Sequence, residues 1–141
     1  MERNIKTVIM KTIITTILIL LSINIFAQKQ SKEINLSNKD LTEFIYNDTM
    51  KDVTYLDLSS NFLQDVKIDS MKQLLYINVC ENILTEEAIL NILKVLNKNG
   101  LTLGWCYLSG GGNAYINDLK INKDYLMLLR KRWNISINTN N

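Results

Sequence analysis

The chain has 141 residues, of which 47% are hydrophobic, and it contains no histidine. The length favours one domain, and the lack of histidine removes the Ser-His and Cys-His nucleophile pairs as well as the commonest metal ligand. We therefore expect neither an enzyme nor a metal or cofactor site. The formal net charge is only +2, from 16 basic and 14 acidic residues, which gives no indication of a nucleic-acid partner.

Residues 1–27 have the pattern of a secretory signal peptide, in which an apolar stretch follows a basic start. The basic residues are Arg3, Lys6 and Lys11. The apolar stretch, from Ile13 to Phe26, is shorter than the ~20 residues that span a bilayer, so we expect cleavage after Ala27. Met10 is an alternative start of the same signal. These features predict export to the periplasm, the cell surface or the medium, with membrane attachment only if the segment stays uncleaved.

Two later segments share one spacing of apolar residues. Residues 53–63 (VTYLDLSSNFL) and 74–84 (LLYINVCENIL) both place an asparagine, Asn61 or Asn82, two positions before a final leucine. Less complete copies of the strand portion begin at Ile34, Leu103 and Asn134. Alternate residues of a strand point to opposite faces, so five strands with one apolar face each are expected to stack into a parallel sheet.

This spacing, L-x-x-L-x-L-x-x-N-x-L, resembles that of leucine-rich repeat proteins. The resemblance implies an α/β fold over residues 28–141: a short right-handed solenoid with a curved parallel sheet of about five strands. Turns or helices would lie on its convex side. Residues 108–114 (LSGGGNA), together with Arg132 and Trp133, resemble the variant closing repeat of leucine-rich repeat proteins from Bacteroidetes-type bacteria. The resemblance thus implies an exported bacterial protein.

The asparagines of the repeat predict a structural ladder. The side chains of Asn61 and Asn82 are expected to hydrogen-bond backbone groups in the bend after each strand. In the first and fourth copies Lys39 and Gly111 occupy the asparagine position, which predicts an imperfect ladder at both ends. The glycine run at residues 110–112 lacks the spacing of a phosphate-binding loop, and we expect it to be a mobile turn where the ladder stops.

Two helices are predicted on the convex side, in the longer repeats. The first follows the N-cap residue Thr85 and stops at Gly100. Its apolar stripe comprises Ala88, Ile89, Ile92, Leu93 and Leu96. The second is expected over residues 123–132 and is expected to bury Leu126 and Leu129. Its basic end suits the negative end of a helix, and an anion-binding patch is the alternative interpretation.

The two cysteines are predicted to stay apart. Cys106 aligns with the inward positions of the neighbouring strands, whereas Cys80 lies three positions further along its own repeat. That separation exceeds the ~7 Å between Cα atoms that a disulfide tolerates. Two free thiols are therefore expected, even in the oxidising compartment that export implies.

Aromatic side chains recur on the opposite, concave face of the predicted sheet. The candidate binding residues lie in two adjacent columns, one with Tyr55, Tyr76 and Trp105 and the other with Asp57, Asn78, Tyr107 and Ser136. Strands lie ~4.8 Å apart, so the rings of the first column are expected to pack as a ladder. A general preference of aromatic residues for strands is one explanation of this pattern, and a binding patch is the other.

The predicted function is that of a binding module. A protein ligand on the concave face is favoured, because Tyr and Trp are enriched at interface hot spots and solenoids commonly use this face. A carbohydrate is the alternative partner, since aromatic faces also stack on sugar rings. An enzyme is the remaining class: Glu33, Asp57 and Glu81 offer carboxylates, but no catalytic motif pairs them.

Overall fold

The computed structural model describes residues 13–16, 31–118 and 122–139. The chain divides into two compact units, Met1–Ser31 and Lys32–Asn141. Residues 13–16 of the first unit are helical, and the rest of the predicted signal peptide lies outside the described residues, as does the expected cleavage site. Among the described residues, no helix has both the length and the apolar character needed to cross a membrane.

The second unit contains a five-stranded sheet in which every strand is parallel to its neighbours and pairs with the next strand of the chain. The strands are β1 (Lys32–Asn35), β2 (Val53–Asp57), β3 (Tyr76–Asn78), β4 (Trp105–Tyr107) and β5 (Asn134–Ser136). Leu56 pairs with Ile77 and Ile77 pairs with Cys106, in the register expected from the repeat. The α/β class and the five predicted parallel strands are confirmed.

One hydrophobic core lies against the inward side of the sheet. Leu56 and Ile77 are fully buried there, and burial of such a side chain stabilises the fold by about 1.5–3 kcal/mol. The helix α1 (Glu86–Asn99) covers the core with six buried residues, which are Ala88, Ile89, Ile92, Leu93, Val95 and Leu96. In the shorter first repeat, a 3-10 helix (Asp48–Met50) lies between β1 and β2.

The ends of α1 form as the sequence predicts. The side-chain oxygen of Thr85 accepts a hydrogen bond from the backbone N–H of Ala88 at 3.1 Å. Gly100 follows the last turn with φ +78°, and a Cβ there would meet nothing within 4 Å. Glycine is therefore favoured at this position by its backbone conformation and not by lack of space.

The second helix differs from its prediction in extent and in the face that it buries. α2 spans Lys123–Arg130, two residues shorter at its end than expected. It buries Leu128, whereas Leu126 and Leu129 are 39% and 43% exposed. The prediction that Leu126 and Leu129 form the buried stripe is therefore wrong.

The chain reversal after α2 explains which leucine is buried. Arg132 has φ +61°, and the N–H of Trp133 donates back to the carbonyl of Leu128 at 3.0 Å. Such a closure brings the two apolar side chains at its ends together. Trp133 is buried and its Nε1 donates to the carbonyl of Leu101 at 2.9 Å. A Cβ at Gly104 would lie only 2.5 Å from its ring, so glycine leaves room for the indole.

The asparagine ladder has three rungs, and the third is not where the repeat pattern placed it. The buried side chains that form it are Asn61, Asn82 and Asn113. Asn113, not Gly111, accepts a hydrogen bond from the N–H of Leu84 at 2.9 Å. It also donates to the carbonyls of Val79 and Leu108, both at 3.0 Å. Each rung thus joins two consecutive repeats, and the prediction for Gly111 is wrong.

The glycine run is a closely packed turn, and the expectation that the ladder stops there is wrong. Gly111 has φ +57°, and a Cβ on it would lie 2.7 Å from the Cα of Glu81. The N–H of Gly112 donates to the carbonyl of Asn82 at 2.8 Å. Only glycine allows this close approach. The longer turn then carries the chain far enough for Asn113 to reach the ladder.

Candidate binding face

The outward side of the sheet lies opposite the core, and alternate residues of the strands point towards it. All seven predicted binding residues lie on this side, in adjoining register positions: Tyr55, Asp57, Tyr76, Asn78, Trp105, Tyr107 and Ser136. We call the four aromatic members, Tyr55, Tyr76, Trp105 and Tyr107, the aromatic face. The structure therefore brings together the residues that the sequence singled out.

The rings of the aromatic face make contacts, but in a different order from the predicted column. Tyr55 and Tyr76 stack with their centroids 4.0 Å apart and their planes at 9°. The second ring contact of Tyr76 is with Tyr107, at 5.7 Å and 55°. Trp105 takes part in no ring pair within the described part of the chain. The prediction of stacked rings is therefore correct for Tyr55 and Tyr76. On the next strand, Tyr76 contacts its diagonal neighbour Tyr107 and not its register partner Trp105, and such a diagonal neighbour is within reach of an aromatic side chain.

Trp105 is the exposed edge of the aromatic face. Its side chain is 46% exposed, whereas the three tyrosines are half-buried. On the neighbouring strand it is paired with Asn134, which is exposed as well. A large aromatic side chain left in solvent can bury much apolar area when a partner covers it. Among the residues of the aromatic face, Trp105 therefore has the largest exposed fraction for a ligand to bury.

The polar residues beside the rings form the turns that end the strands. The carboxylate of Asp57 accepts hydrogen bonds from the backbone N–H of Ser59 at 2.9 Å and from its hydroxyl at 2.6 Å. The side chain of Asn78 accepts from the N–H of Cys80 at 3.1 Å, and Asn35 makes the equivalent turn after β1. These bonds give Asp57 and Asn78 a structural role. The recurring spacing of Asp or Asn two residues before Ser or Cys is the sequence signal for it.

Small polar side chains contact one another at the end of β5 and just beyond the ends of β3 and β4. The hydroxyl of Ser136 lies 2.8 Å from that of Ser109, which lies 3.8 Å from the sulfur of Cys80. Cys80 is partly exposed and Cys106 is buried in the core, and both are free thiols. Burial, with a smaller contribution from Cys80, raises the pKa of the Cys106 thiol, so this cysteine stays protonated and unreactive.

The stacked arrangement also affects the ionisation of Tyr76. Partial burial raises the pKa of its phenol above the usual value of about 10. The hydrogen bond with Tyr55 and the negative charge of Asp57 act in the same direction. Tyr76 is therefore held in its neutral form, in which its hydroxyl donates a hydrogen bond.

The carboxylates that the sequence offered for chemistry are Glu33, Asp57 and Glu81, and Glu33 pairs in register with Tyr55 on the outward side of the sheet. Among the described residues, no group of three or more His, Cys, Asp or Glu side chains is arranged to hold a metal ion. Asp57 is engaged in its turn, and Glu81 lies beside the glycine run with φ +54°. No family model, curated protein or solved structure matches the chain. The function is therefore inferred from the aromatic face itself.

Proposed function

We propose that this chain is an exported leucine-rich repeat protein that binds a protein ligand through the outward, concave face of its sheet. The observation that carries the proposal is the aromatic face, where the ring of Tyr76 contacts those of Tyr55 and Tyr107 beside the half-exposed Trp105. The consecutive order of five parallel strands and the three-rung asparagine ladder support the solenoid. The pattern of residues 1–27 supports export.

The contacts among the tyrosines favour a preformed binding surface. The contacts of Tyr76 with Tyr55 and with Tyr107 restrict the rotamers within each pair before any ligand arrives, so less side-chain entropy is lost on binding. Tyr and Trp combine a large apolar area with a polar group, which suits them to the centre of an interface. The turns made by Asp57 and Asn78 hold the ends of the same strands in place.

The ring geometry favours a protein over a carbohydrate. A sugar stacks on the open face of an aromatic ring, but the facing planes of Tyr55 and Tyr76 are 4.0 Å apart and are covered by each other. What this pair presents to a ligand is mainly ring edges and hydroxyl groups. Trp105 is the member of the aromatic face that belongs to no ring pair among the described residues, and the carbohydrate alternative rests on its open ring.

A matched pair of variants tests the proposal. Trp105→Ala removes the exposed indole from the aromatic face, and Tyr115→Ala removes a side chain that is 57% exposed but lies in the loop after β4. The full chain and both variants would be immobilised and used to capture proteins from an envelope extract of the host cells. We expect a protein that is retained by the full chain and by Tyr115→Ala and lost by Trp105→Ala, with circular dichroism unchanged in all three.

Site-specific cross-linking then locates the contact. A photoreactive amino acid at position 105 should cross-link to the captured protein, and the same group at position 115 should not. Equal cross-linking at both positions, or capture that survives Trp105→Ala, would contradict the proposed face. A glycan array provides the test of the alternative: strong binding that Trp105→Ala abolishes, without any captured protein, would establish a carbohydrate-binding module instead.

A further inference from the structure

The basic end of α2 lines a pocket at the start of the last two strands. The pocket has a volume of about 260 Å³, and its lining residues come shortly before β4 and β5 in the chain. They are Thr102, Leu103, Arg130, Lys131 and Arg132, so three cationic side chains and one hydroxyl accompany a single leucine. The positive charge of these walls favours an anionic ligand.

The leucine of this pocket is turned out of the core. Leu103 lies two positions before the outward residue of its strand, where the two preceding repeats have the fully buried Val53 and Leu74. Leu103 is 59% exposed, and its φ of +63° is uncommon for a bulky residue. Arg132 has the same position in the last repeat, with φ +61°. Backbone conformations of this kind cluster at ligand sites, and both residues line the pocket.

Backbone hydrogen bonds fix the two walls of the pocket relative to each other. The N–H of Leu103 donates to the carbonyl of Lys131 at 3.0 Å. Next to it, the N–H of Asn134 donates to the carbonyl of Gly104 at 2.9 Å. The main chain therefore holds the pocket in shape before a ligand arrives, so little conformational entropy is lost when the ligand binds.

One of the three cations already has a structural role. The ammonium group of Lys131 donates to the carbonyl of Asn97 at 2.6 Å and to its side-chain oxygen at 2.7 Å. Asn97 lies in the last turn of α1, where unpaired carbonyls and the negative end of the helix dipole favour a cation. Lys131 therefore joins the two helices, and its charge also contributes to the wall of the pocket.

The end of α2 does not need the two arginines in this way. Backbone N–H groups of residues 131–133 donate to the carbonyls of residues 127–129, which satisfies these three carbonyls of the last turn. Nη1 of Arg130 contacts the sulfur of Met127 at 3.7 Å, which is a weak acceptor, and Arg132 is exposed. Helix capping thus explains Lys131, whereas Arg130 and Arg132 can direct their N–H donors at a ligand.

The residue types in the pocket distinguish among anions. A guanidinium group is a planar fork that matches two oxygens of a phosphate or a carboxylate. A phosphate monoester carries a charge of about −1.5 to −2 at pH 7 and has three acceptor oxygens, whereas a carboxylate has one charge and two oxygens. Two guanidinium forks, an ammonium group and the hydroxyl of Thr102 therefore match a phosphate monoester better than a carboxylate.

We propose that this pocket binds a phosphate monoester group. Arg130 and Arg132 donate to its oxygens, the hydroxyl of Thr102 supplies a further donor, and Leu103 packs against the part of the molecule that bears the phosphate. The charge of Lys131 adds to the attraction while its ammonium group keeps its bonds to α1. The lining residues do not belong to the aromatic face, so this site is independent of the proposed protein ligand.

Phenyl phosphate is the probe for the first test, with the full chain and three variants. Arg130→Gln with Arg132→Gln removes both forks and two charges, whereas Arg130→Lys with Arg132→Lys removes the forks and keeps the charges. The control, Lys67→Gln with Lys94→Gln, removes two charges at exposed residues outside the pocket. Backbone amide signals would be followed by NMR during a titration at constant ionic strength, with circular dichroism to verify the fold of each protein.

We expect phenyl phosphate to shift the amide signals of Thr102 and Leu103, with a similar Kd in the full chain and in the control. The glutamine variant should bind at least about tenfold more weakly, since two charge-assisted contacts are lost. The lysine variant should fall between these values, because it attracts the anion without the planar fork. Benzoate, which has a carboxylate in place of the phosphate, should bind the full chain more weakly than phenyl phosphate does.

Lipid vesicles distinguish the two sources of such a group. Phosphatidic acid presents a phosphate monoester at a lipid surface. Sedimentation of the full chain with phosphatidylcholine vesicles that contain phosphatidic acid, lost in the glutamine variant, would support the proposal with a lipid headgroup as the ligand. Binding of phenyl phosphate without such sedimentation would support it with a soluble phosphate ester as the ligand.

Four results would overturn the proposal. Unchanged signals of Thr102 and Leu103 in the full chain show that the pocket does not bind a phosphate monoester. Equal Kd values for the full chain and the glutamine variant place the binding elsewhere. Equal weakening in the glutamine variant and in the control assigns the effect to net charge. Tighter binding of benzoate than of phenyl phosphate identifies a carboxylate site instead.

Discussion

The central and the terminal strands of this sheet carry the same apolar pattern in different surroundings. Ile77 in β3 is fully buried between two neighbouring repeats, whereas Ile34 in β1 and Ile135 in β5 are half-buried at equivalent register positions. A repeat buries its apolar face against the repeats beside it. The place of a residue in the stack therefore decides how much its side chain stabilises the fold.

Truncating the same residue type at the centre and at the edge should show this difference most clearly. Ile77→Ala is expected to lower the free energy of unfolding by about 4 kcal/mol, because it leaves a cavity in a closely packed core. Ile34→Ala should cost about 1 kcal/mol, since solvent already reaches that side chain. Urea titrations of both variants and of the unchanged chain would measure the shift in midpoint. Equal costs for the two variants in dilute solution would contradict the idea that the centre and the edge differ in burial.

The glycine run offers a second contrast, between a packed turn and an open one. Gly111→Ala forces a Cβ against the Cα of Glu81 at a left-handed backbone conformation, and it should cost about 2–3 kcal/mol. Gly100→Ala also places alanine in a left-handed backbone conformation, but its Cβ meets no neighbouring atom. We expect this variant to lower the free energy of unfolding by about 1 kcal/mol. Thermal unfolding followed by circular dichroism would rank the two variants. A Gly111→Ala protein as stable as Gly100→Ala would show that the turn relaxes away from the neighbouring repeat.

The strands and α1 could be predicted from the sequence because their determinants are local. The alternation of apolar residues sets which side of each strand is inward, and Thr85 and Gly100 mark the ends of α1 by their backbone preferences. The burial of α2 could not be predicted in this way, since its phase depends on the long-range fit of Trp133 against Gly104. Periodicity alone cannot distinguish Leu126 from Leu128 on so short a helix.

The asparagine ladder and the aromatic face were also predicted only in part from the sequence. Asn113 was missed because the repeat spacing assigns its position to Gly111, and only the packing of that turn against Glu81 reveals the longer path. The columns of the aromatic face followed from the period of two along each strand. The choice of Tyr107 over Trp105 as the second ring contact of Tyr76 depends on side-chain rotamers, which spacing does not determine.

The smallest expected effect is the pH dependence of stability that arises from Tyr76. It distinguishes a stacked pair of tyrosine rings from two tyrosines that only occupy neighbouring strand positions. The raised pKa of Tyr76 means that the folded protein favours the neutral phenol. Its contribution to stability is therefore fully present below the usual tyrosine pKa of about 10 and is lost as pH rises above that value.

Urea midpoints should fall between pH 10 and 11.5 in the unchanged chain and fall less steeply in Tyr76→Phe. If Tyr76→Phe and the unchanged chain have the same slope, the neighbours of Tyr76 do not affect its ionisation, and the stacked pair of Tyr55 and Tyr76 does not persist in solution.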